Sequence, residues 1–520
     1  MPPRIVTISD HVDCPTGFGV QHRHLAFALA HAGFEVHALG LWDTRPLARI
    51  SAQAPATMSQ PPCHSEPAES LARAKRGQPF RGADQRHKAS CVGGANSPER
   101  CFDKLSMTER GHVSFAETTP ELVAVTRYPA GLGVEDHRRA WPMYRELLRP
   151  DLVITLGDFE MFRHLNDESP RNFAWCHWLP IDALPYPDRD HAAMLRYDHL
   201  VLMSRFGLGV VRPHLEGRVP LHYIPHGVDV RAFRPHDDPL ALRRRWSRRL
   251  GVELRPDDFV LIARDTNQWR KQQPLLLEAL AMLPRDVKLL LHCAPVAHPR
   301  ANGWDLPHLA RLYGVADRAI FTAGPFGVLP SGSPHPAPAS EGAAEGTLAE
   351  ARTPNLTPEE LAELDNLSDL RVSATAGEGF GVVTIEAMAC GTPTLITNYA
   401  TSSELLLGIA PGGSPFAGSS PPAHSAQHPT PREAILDRFG PAGELLRVAA
   451  WTVEQARHLF RPVPDATDLA ARVLALRDDR GRLARYGVAG LRRVLAHYTL
   501  GRVATDWAAL ARRVLAERVR

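Results

Sequence analysis

Short apolar runs alternate along the chain with segments in which apolar residues recur every third or fourth position. The runs are short and rich in Val, Ile and Leu, so they predict strands rather than buried helices. In the first half they fall at 4–8, 35–39, 122–126, 152–156, 173–177, 199–203 and 221–224. In the second half they fall at 259–263, 287–292, 319–322, 370–375 and 394–397. The clearest helical stripe joins Leu25, Ala28, Leu29 and Ala32, within a helix expected from about 21 to 32. Further helices are expected near 274–282, 305–313, 358–364, 383–390, 467–477 and 479–496.

Strands apolar along their whole length imply parallel sheets covered by helices on both faces. Two such series meet near 225–235, so the expected class is α/β, with two Rossmann-like domains and a cleft between them. The expected bounds are 1–228 for the first domain and 229–495 for the second. A last helix over 496–520 is expected to cross back to the first domain. A ligand in such a fold lies outside the carboxyl ends of the strands.

Three segments break the pattern: 50–115, 330–356 and 411–432. They are rich in Pro, Ser, Ala or Gly and show no period, so they read as solvent-exposed or disordered insertions. The first holds Cys63, Cys91 and Cys101 near His64, His87 and His112. Their spacing fits no standard zinc finger, and no metal is expected.

Composition narrows the class. Hydrophobic residues make up 44% and charged residues 22% of the 520, the balance of a globular protein. A net charge of +3 gives no reason to expect a nucleic-acid partner. Seven cysteines suit a reducing compartment better than a disulfide framework. The opening apolar run is too short for a secretory leader, and no stretch reads as a membrane span. The expected location is cytoplasmic, with peripheral membrane contact left open.

The most informative string is Gly377-Glu378-Gly379-Phe380-Gly381-Val382-Val383-Thr384-Ile385-Glu386. It places a glycine loop between a strand and a helix. The glycines let a ligand approach the backbone, and the amides that open the helix, at Val382 and Val383, suit a phosphate. Glu378 and Glu386 are carboxylates that accept hydrogen bonds from vicinal hydroxyls. Spaced this way, they can hold a sugar and a ribose on either side of a phosphate. A second string, Arg264-Asp265-Thr266-Asn267-Gln268-Trp269-Arg270-Lys271, follows the first strand of the second domain. Fixed cations there would stabilise a departing diphosphate. A third strand ends in Trp175-Cys176-His177, and Asp182 and Asp158 also follow strand ends. Gly17 and Gly19 lie in a turn after the first strand.

These strings resemble the retaining GT-B glycosyltransferases of family 4, the glycosyl transferases group 1. The spacing of Glu378 and Glu386 and the Glu-Gly-Phe-Gly run carry the likeness, and it extends over roughly 400 residues between the insertions. Tyr223-Ile-Pro-His226-Gly-Val-Asp229 is similar to the family's interdomain string, with His226 where Asn is usual. The resemblance implies transfer from a nucleoside-diphosphate sugar, with the donor as co-substrate, no cofactor and no metal. It implies that Glu378 contacts the donor sugar, that Glu386 contacts the ribose, and that Gly379, Phe380 and Gly381 lie against the sugar. Val382 and Val383 would receive the distal phosphate. Arg264 and Lys271 would neutralise the diphosphate. The loop is about one residue longer than usual, so Arg270 stands as the alternative to Lys271. His177 would approach the reaction centre, Gly17 and Gly19 would line the cleft, and Asp182 is a candidate for an acceptor hydroxyl. The acceptor is a glycan, a lipid or a small molecule. Two other readings stay open: a nucleotide-sugar-binding scaffold without transfer activity, and a GT-B sugar epimerase.

Overall fold

The computed structural model describes residues 2–14, 16–41, 47–53, 122–130, 134–167, 171–186, 188–296, 302–322, 356–408, 437–455 and 457–519. Most of 50–115, nearly all of 330–356 and all of 411–432 lie outside these residues, as do Cys63, Cys91 and Cys101.

The first lobe is an eight-stranded sheet. Its strands are β1 (Arg4–Asp10), β2 (Glu35–Leu41), β3 (Ala48–Gln53), β4 (Leu122–Pro129), β5 (Leu152–Leu156), β6 (Ala174–Leu179), β7 (His199–Leu202) and β8 (Leu221–Tyr223). The order is β3-β4-β2-β1-β5-β6-β7-β8. Every pairing is parallel except β3 with β4. β3 corrects one expectation, since residues 50–53 were assigned to an insertion. They show no apolar run because β3 lies at the sheet edge, with Arg49 and Ser51 exposed.

The second lobe holds β9 (Phe259–Ala263), β10 (Val287–Leu291), β11 (Ala319–Phe321), β12 (Leu370–Ser373), β13 (Thr394–Thr397) and β14 (Gly443–Leu446). The order is β11-β10-β9-β12-β13-β14, all parallel. In each lobe the strand order reverses beside the first strand, at β1/β5 and at β9/β12. Ligands of doubly wound sheets settle at that reversal. An antiparallel ribbon, β15 (Val448–Glu454) with β16 (Leu459–Pro464), projects from the second lobe.

Apolar positions fill both faces of each sheet. Ile5, Ile8, Val153 and Ile154 in the first lobe and Phe259, Val260, Leu289 and Leu370 in the second have no exposed surface. Each such side chain contributes about 1.5–3 kcal/mol on burial, so these strands anchor the loops at their ends. The lobes are joined by two chain crossings. The Val228 amide donates to the Tyr498 carbonyl at 2.9 Å, and the Leu500 amide donates to the Val228 carbonyl at 3.2 Å. Helix Leu500–Val519 lies against the first lobe, with Trp507 edge-on to Trp178 at 5.1 Å between ring centroids. Among the described residues no helix is long and apolar enough to cross a membrane.

Candidate functional site

The charged cluster of the second lobe sits where β9 and β12 end, at the reversal of strand order. β9 delivers Arg264, which is almost fully buried. Its Nε donates to Asp365 Oδ1 at 3.2 Å, and its Nη2 donates to Asp365 Oδ2 at 2.7 Å and to Glu386 Oε2 at 2.9 Å. Asp365 comes from helix Pro358–Leu367 and Glu386 from helix Val382–Ala389, which follows β12. One guanidinium thus serves two acids in a dry place. Burial pushes both carboxyl groups upward, with Arg264 opposing it. Burial would lower Arg264 too, but Asp365 and Glu386 outweigh it and hold the guanidinium more firmly charged.

Lys271 closes a short 3-10 turn, Trp269–Lys271. Its ammonium pairs with Glu378 Oε1 and stands 3.6 Å from Asp265 Oδ1. Asp265 also accepts from Ser373 Oγ at 2.6 Å and lies 3.4 Å from Arg371 Nη2. Burial alone would raise Asp265, but Lys271 and Arg371 hold it below the usual range. Thr375 Oγ1 donates to Glu378 Oε1 at 3.0 Å. Arg270 donates to the Gly377 carbonyl at 2.7 Å and stands 3.9 Å from Glu378 and 4.0 Å from Asp182. Both alternatives for the second cation therefore reach Glu378.

The first lobe meets this cluster through the loop after β6. A side-chain carbon added at Gly379 would stand 2.6 Å from Pro180 Cβ, and one at Gly377 would stand 2.2 Å from the Asp182 carbonyl. Gly377 also has φ +139°, a backbone setting that a side chain strains. These glycines let the two lobes touch. Asp182 lies 3.1 Å from Arg461 Nη1 on β16. Burial opposes its charge, yet Arg461 and Arg270 hold its carboxyl below the usual range. Leu184 bridges to Phe460, and its amide donates to Tyr399 Oη at 2.9 Å. Asp158 lines the same opening with 46% of its side chain exposed, 3.9 Å from Arg457. Partial burial raises its carboxyl above the usual range, opposed by Arg457 and aided by repulsion from Asp182 and Glu160.

Other expected site residues fall elsewhere. His177 has no exposed surface and is not a cleft residue. β6 runs two residues past it, to Leu179, so its side chain turns into the first-lobe core. Its Nδ1 is 2.7 Å from Thr155 Oγ1, and its ring packs beside Tyr197 at 4.8 Å. Burial lowers it to about 3. The helix start expected near 21 lies at Gly17, with Thr16 as its cap, accepting from the Gly19 amide at 3.0 Å. A side chain at Gly19 would strike the Cys14 carbonyl, whereas Gly17 faces open space. Gly381, at φ +101°, caps the helix that Val382 and Val383 open. Phe380 is buried against His226 and Tyr498, at 5.5 Å from each ring, where it plugs the junction of the lobes. His226 is itself buried and lowered to about 3 by that burial.

Sequence reasoning missed Asp365, Asp265, Arg371 and Arg461. One clear signal was present. Arg371 is a charge inside an otherwise apolar strand, and such a residue needs a buried partner. Asp365 offered a weaker one, an acid in the last turn of helix Pro358–Leu367, where the helix dipole disfavours negative charge.

With this geometry in place, three comparisons bear on it. The sequence model of the family "Glycosyl transferases group 1" matches residues 352–407, a stretch that holds Asp365, Glu378 and Glu386. That stretch carries a glycosyltransferase signature. Among curated relatives, the D-inositol 3-phosphate glycosyltransferase of Mycobacterium marinum is 29% identical over 169 residues, 32% of this chain and 28% of that protein. The protein of the same name from Geodermatophilus obscurus is 31% identical over 179 residues, 33% of this chain and 31% of that protein. The chain therefore matches under a third of the length of these relatives. Among solved structures, sucrose-phosphate synthase of Thermosynechococcus elongatus is similar with a TM-score of 0.59 at 17% identity, covering 99% of this chain and 100% of that one. Anabaena HepE in complex with UDP-glucose is similar with a TM-score of 0.54 at 11% identity, covering 98% and 99%. These likenesses assign the fold as the two-lobed GT-B architecture.

Proposed function

We propose that this protein is a retaining glycosyltransferase that moves a sugar from a nucleoside-diphosphate sugar to an acceptor hydroxyl without a metal ion. One observation carries the reading: the ion pairs Arg264–Glu386 and Lys271–Glu378 stand together at the carboxyl ends of β9 and β12, at the reversal of strand order. Without a ligand, the acids neutralise the cations. An incoming diphosphate takes the cations, and the freed carboxylates accept hydroxyl hydrogens, Glu386 from the ribose and Glu378 from the sugar. Asp365 stays on Arg264 through this exchange, which keeps the guanidinium in place.

In the transfer step the bond between the anomeric carbon and the diphosphate oxygen breaks, and its electron pair leaves on that oxygen. Arg264, Lys271 and the opening of helix Val382–Ala389 stabilise the anion formed, supplying the charge a metal would otherwise bring. The acceptor oxygen attacks the same face of the sugar, and its proton passes to the leaving phosphate oxygen. Arg270 and Asp182 border this point from the two lobes. The structure in complex with UDP-glucose and the polyol-phosphate name of the curated relatives support a nucleotide sugar as donor and a sugar-type acceptor. The test is an assay of UDP-, GDP- and ADP-sugars with an acceptor panel, read by NMR for the configuration of the new bond. Transfer with inversion, or no transfer and no donor hydrolysis, contradicts the reading.

A further inference from the structure

On the face of the lobe junction where β8 and the last helix meet lies a cavity of about 640 Å³ that the transfer reaction does not use. One wall is β8, the edge strand of the first sheet, continuing into Ile224 and Pro225. The other is the last helix, which presents Arg502, Asp506, Ala509 and Arg513 on one face, at the spacing that brings helical residues into a row. Ala509 stands mid-row with a side chain of one carbon, and this opens the space.

The lining is positively charged. Arg205, Arg502 and Arg513 face Asp506 as the one acid among the lining residues. The Arg205 guanidinium lies over the Tyr223 ring, 4.6 Å from its centroid, and its Nε is buried with no hydrogen-bond partner. No ion pair joins Arg513 to an acid among the described residues. Just behind the wall, Glu404 accepts from the Tyr223 hydroxyl at 2.6 Å and the Arg205 amide at 2.8 Å, and burial raises its carboxyl to about 7, so at neutral pH it carries only part of a negative charge against the opening. His222 adds no charge at neutral pH, because burial, then His199 and Arg513, lower it to about 4. His497 is likewise lowered by burial, despite Asp437 nearby.

A cavity with three guanidinium groups and one opposing carboxylate holds an excess of fixed cations. Forked guanidinium donors match the oxygens of a phosphate better than those of a neutral sugar. The volume exceeds that of inorganic phosphate and suits an organic phosphate ester. We propose that this cavity is a second binding site, separate from the cleft, for a phosphate-bearing molecule held by Arg205, Arg502 and Arg513.

The test is calorimetric titration of the full chain at low salt with ribose 5-phosphate, with neutral ribose as control. The Arg502→Ala/Arg513→Ala double variant and Ala509→Trp, which fills the space, change exposed positions. Lys271→Ala disables the cleft instead. The expected result is binding of ribose 5-phosphate and not ribose, at least tenfold weaker in the double variant and in Ala509→Trp, and unchanged in Lys271→Ala. A parallel flotation with phosphatidylglycerol vesicles separates the sources of the phosphate. Arginine-dependent flotation without ribose 5-phosphate binding assigns the site to a lipid headgroup. Failure of both probes, equal binding by wild type and the double variant, or loss of binding in Lys271→Ala overturns the proposal.

Discussion

The two lobes share a doubly wound strand order, yet they treat the residues at their strand ends differently. In the second lobe, β9 and β12 stop early and hand over to turns that carry Arg264, Lys271 and Glu378 to one place. In the first lobe, β6 runs on past His177 and takes that ring into the core. What the first lobe offers the cleft comes from the loop beyond, at Pro180 and Asp182. The His177 ring packs between Phe162 and Tyr197, whereas Pro180 and Asp182 lie beyond the strand's last residue. Two residues of extra strand turned a candidate catalyst into packing.

The contrast can be broken most sharply at the charged cluster. Lys271→Ala and Glu386→Ala are expected to cut transfer about 10²–10³-fold with the fold retained, because Lys271 stabilises the departing diphosphate and Glu386 holds both the ribose and the Arg264 guanidinium. Steady-state rates with circular dichroism check this, and wild-type rates in both would erase the difference between the lobes. Arg264→Ala is expected to destabilise the protein by about 3–5 kcal/mol as well, since it strands buried Asp365. Urea denaturation reads that loss, and a change under 1 kcal/mol contradicts the paired arrangement.

Gly379→Ala tests the contact between lobes. The added carbon collides with Pro180, so kcat/KM is expected to fall about ten- to a hundredfold while donor affinity stays within about threefold. A proportional loss of donor affinity would place the effect in the second lobe alone.

The smallest effect belongs to His177→Gln, for which transfer rates are expected within about threefold of wild type. His177 titrates at about 3 in the fold against 6.5 in an open chain. Its neutral form contributes stability above pH 6.5, and that contribution is lost as pH falls toward 3. The variant should therefore lose stability less steeply below pH 6.5, by up to about 1.4 kcal/mol per pH unit. A large rate loss with an unchanged pH profile would return His177 to the reaction centre.

Much of this was legible before any coordinates. Strands 152–156, 259–263 and 394–397 match the structure residue for residue, because buried parallel strands are continuous apolar runs. The glycine loop with Glu378 and Glu386 showed as one contiguous string. The ribbon β15–β16 did not, because its first strand is largely exposed and its apolar residues, Val448 to Trp451 and Val453, follow no alternation that marks a buried face. Its Arg461 could be connected with Asp182 only in three dimensions, across 279 positions. Asp365 was hidden for the same reason, since its partner Arg264 lies 101 positions away.

The account rests on the second-lobe cluster receiving a nucleoside-diphosphate sugar. The most direct measurement is a calorimetric titration of UDP-, GDP- and ADP-glucose into the full chain and into Lys271→Ala and Glu386→Ala. The account predicts that at least one of these donors binds the wild-type chain and binds both variants at least tenfold more weakly. No binding by any donor, or equal binding by wild type and variants, would contradict it.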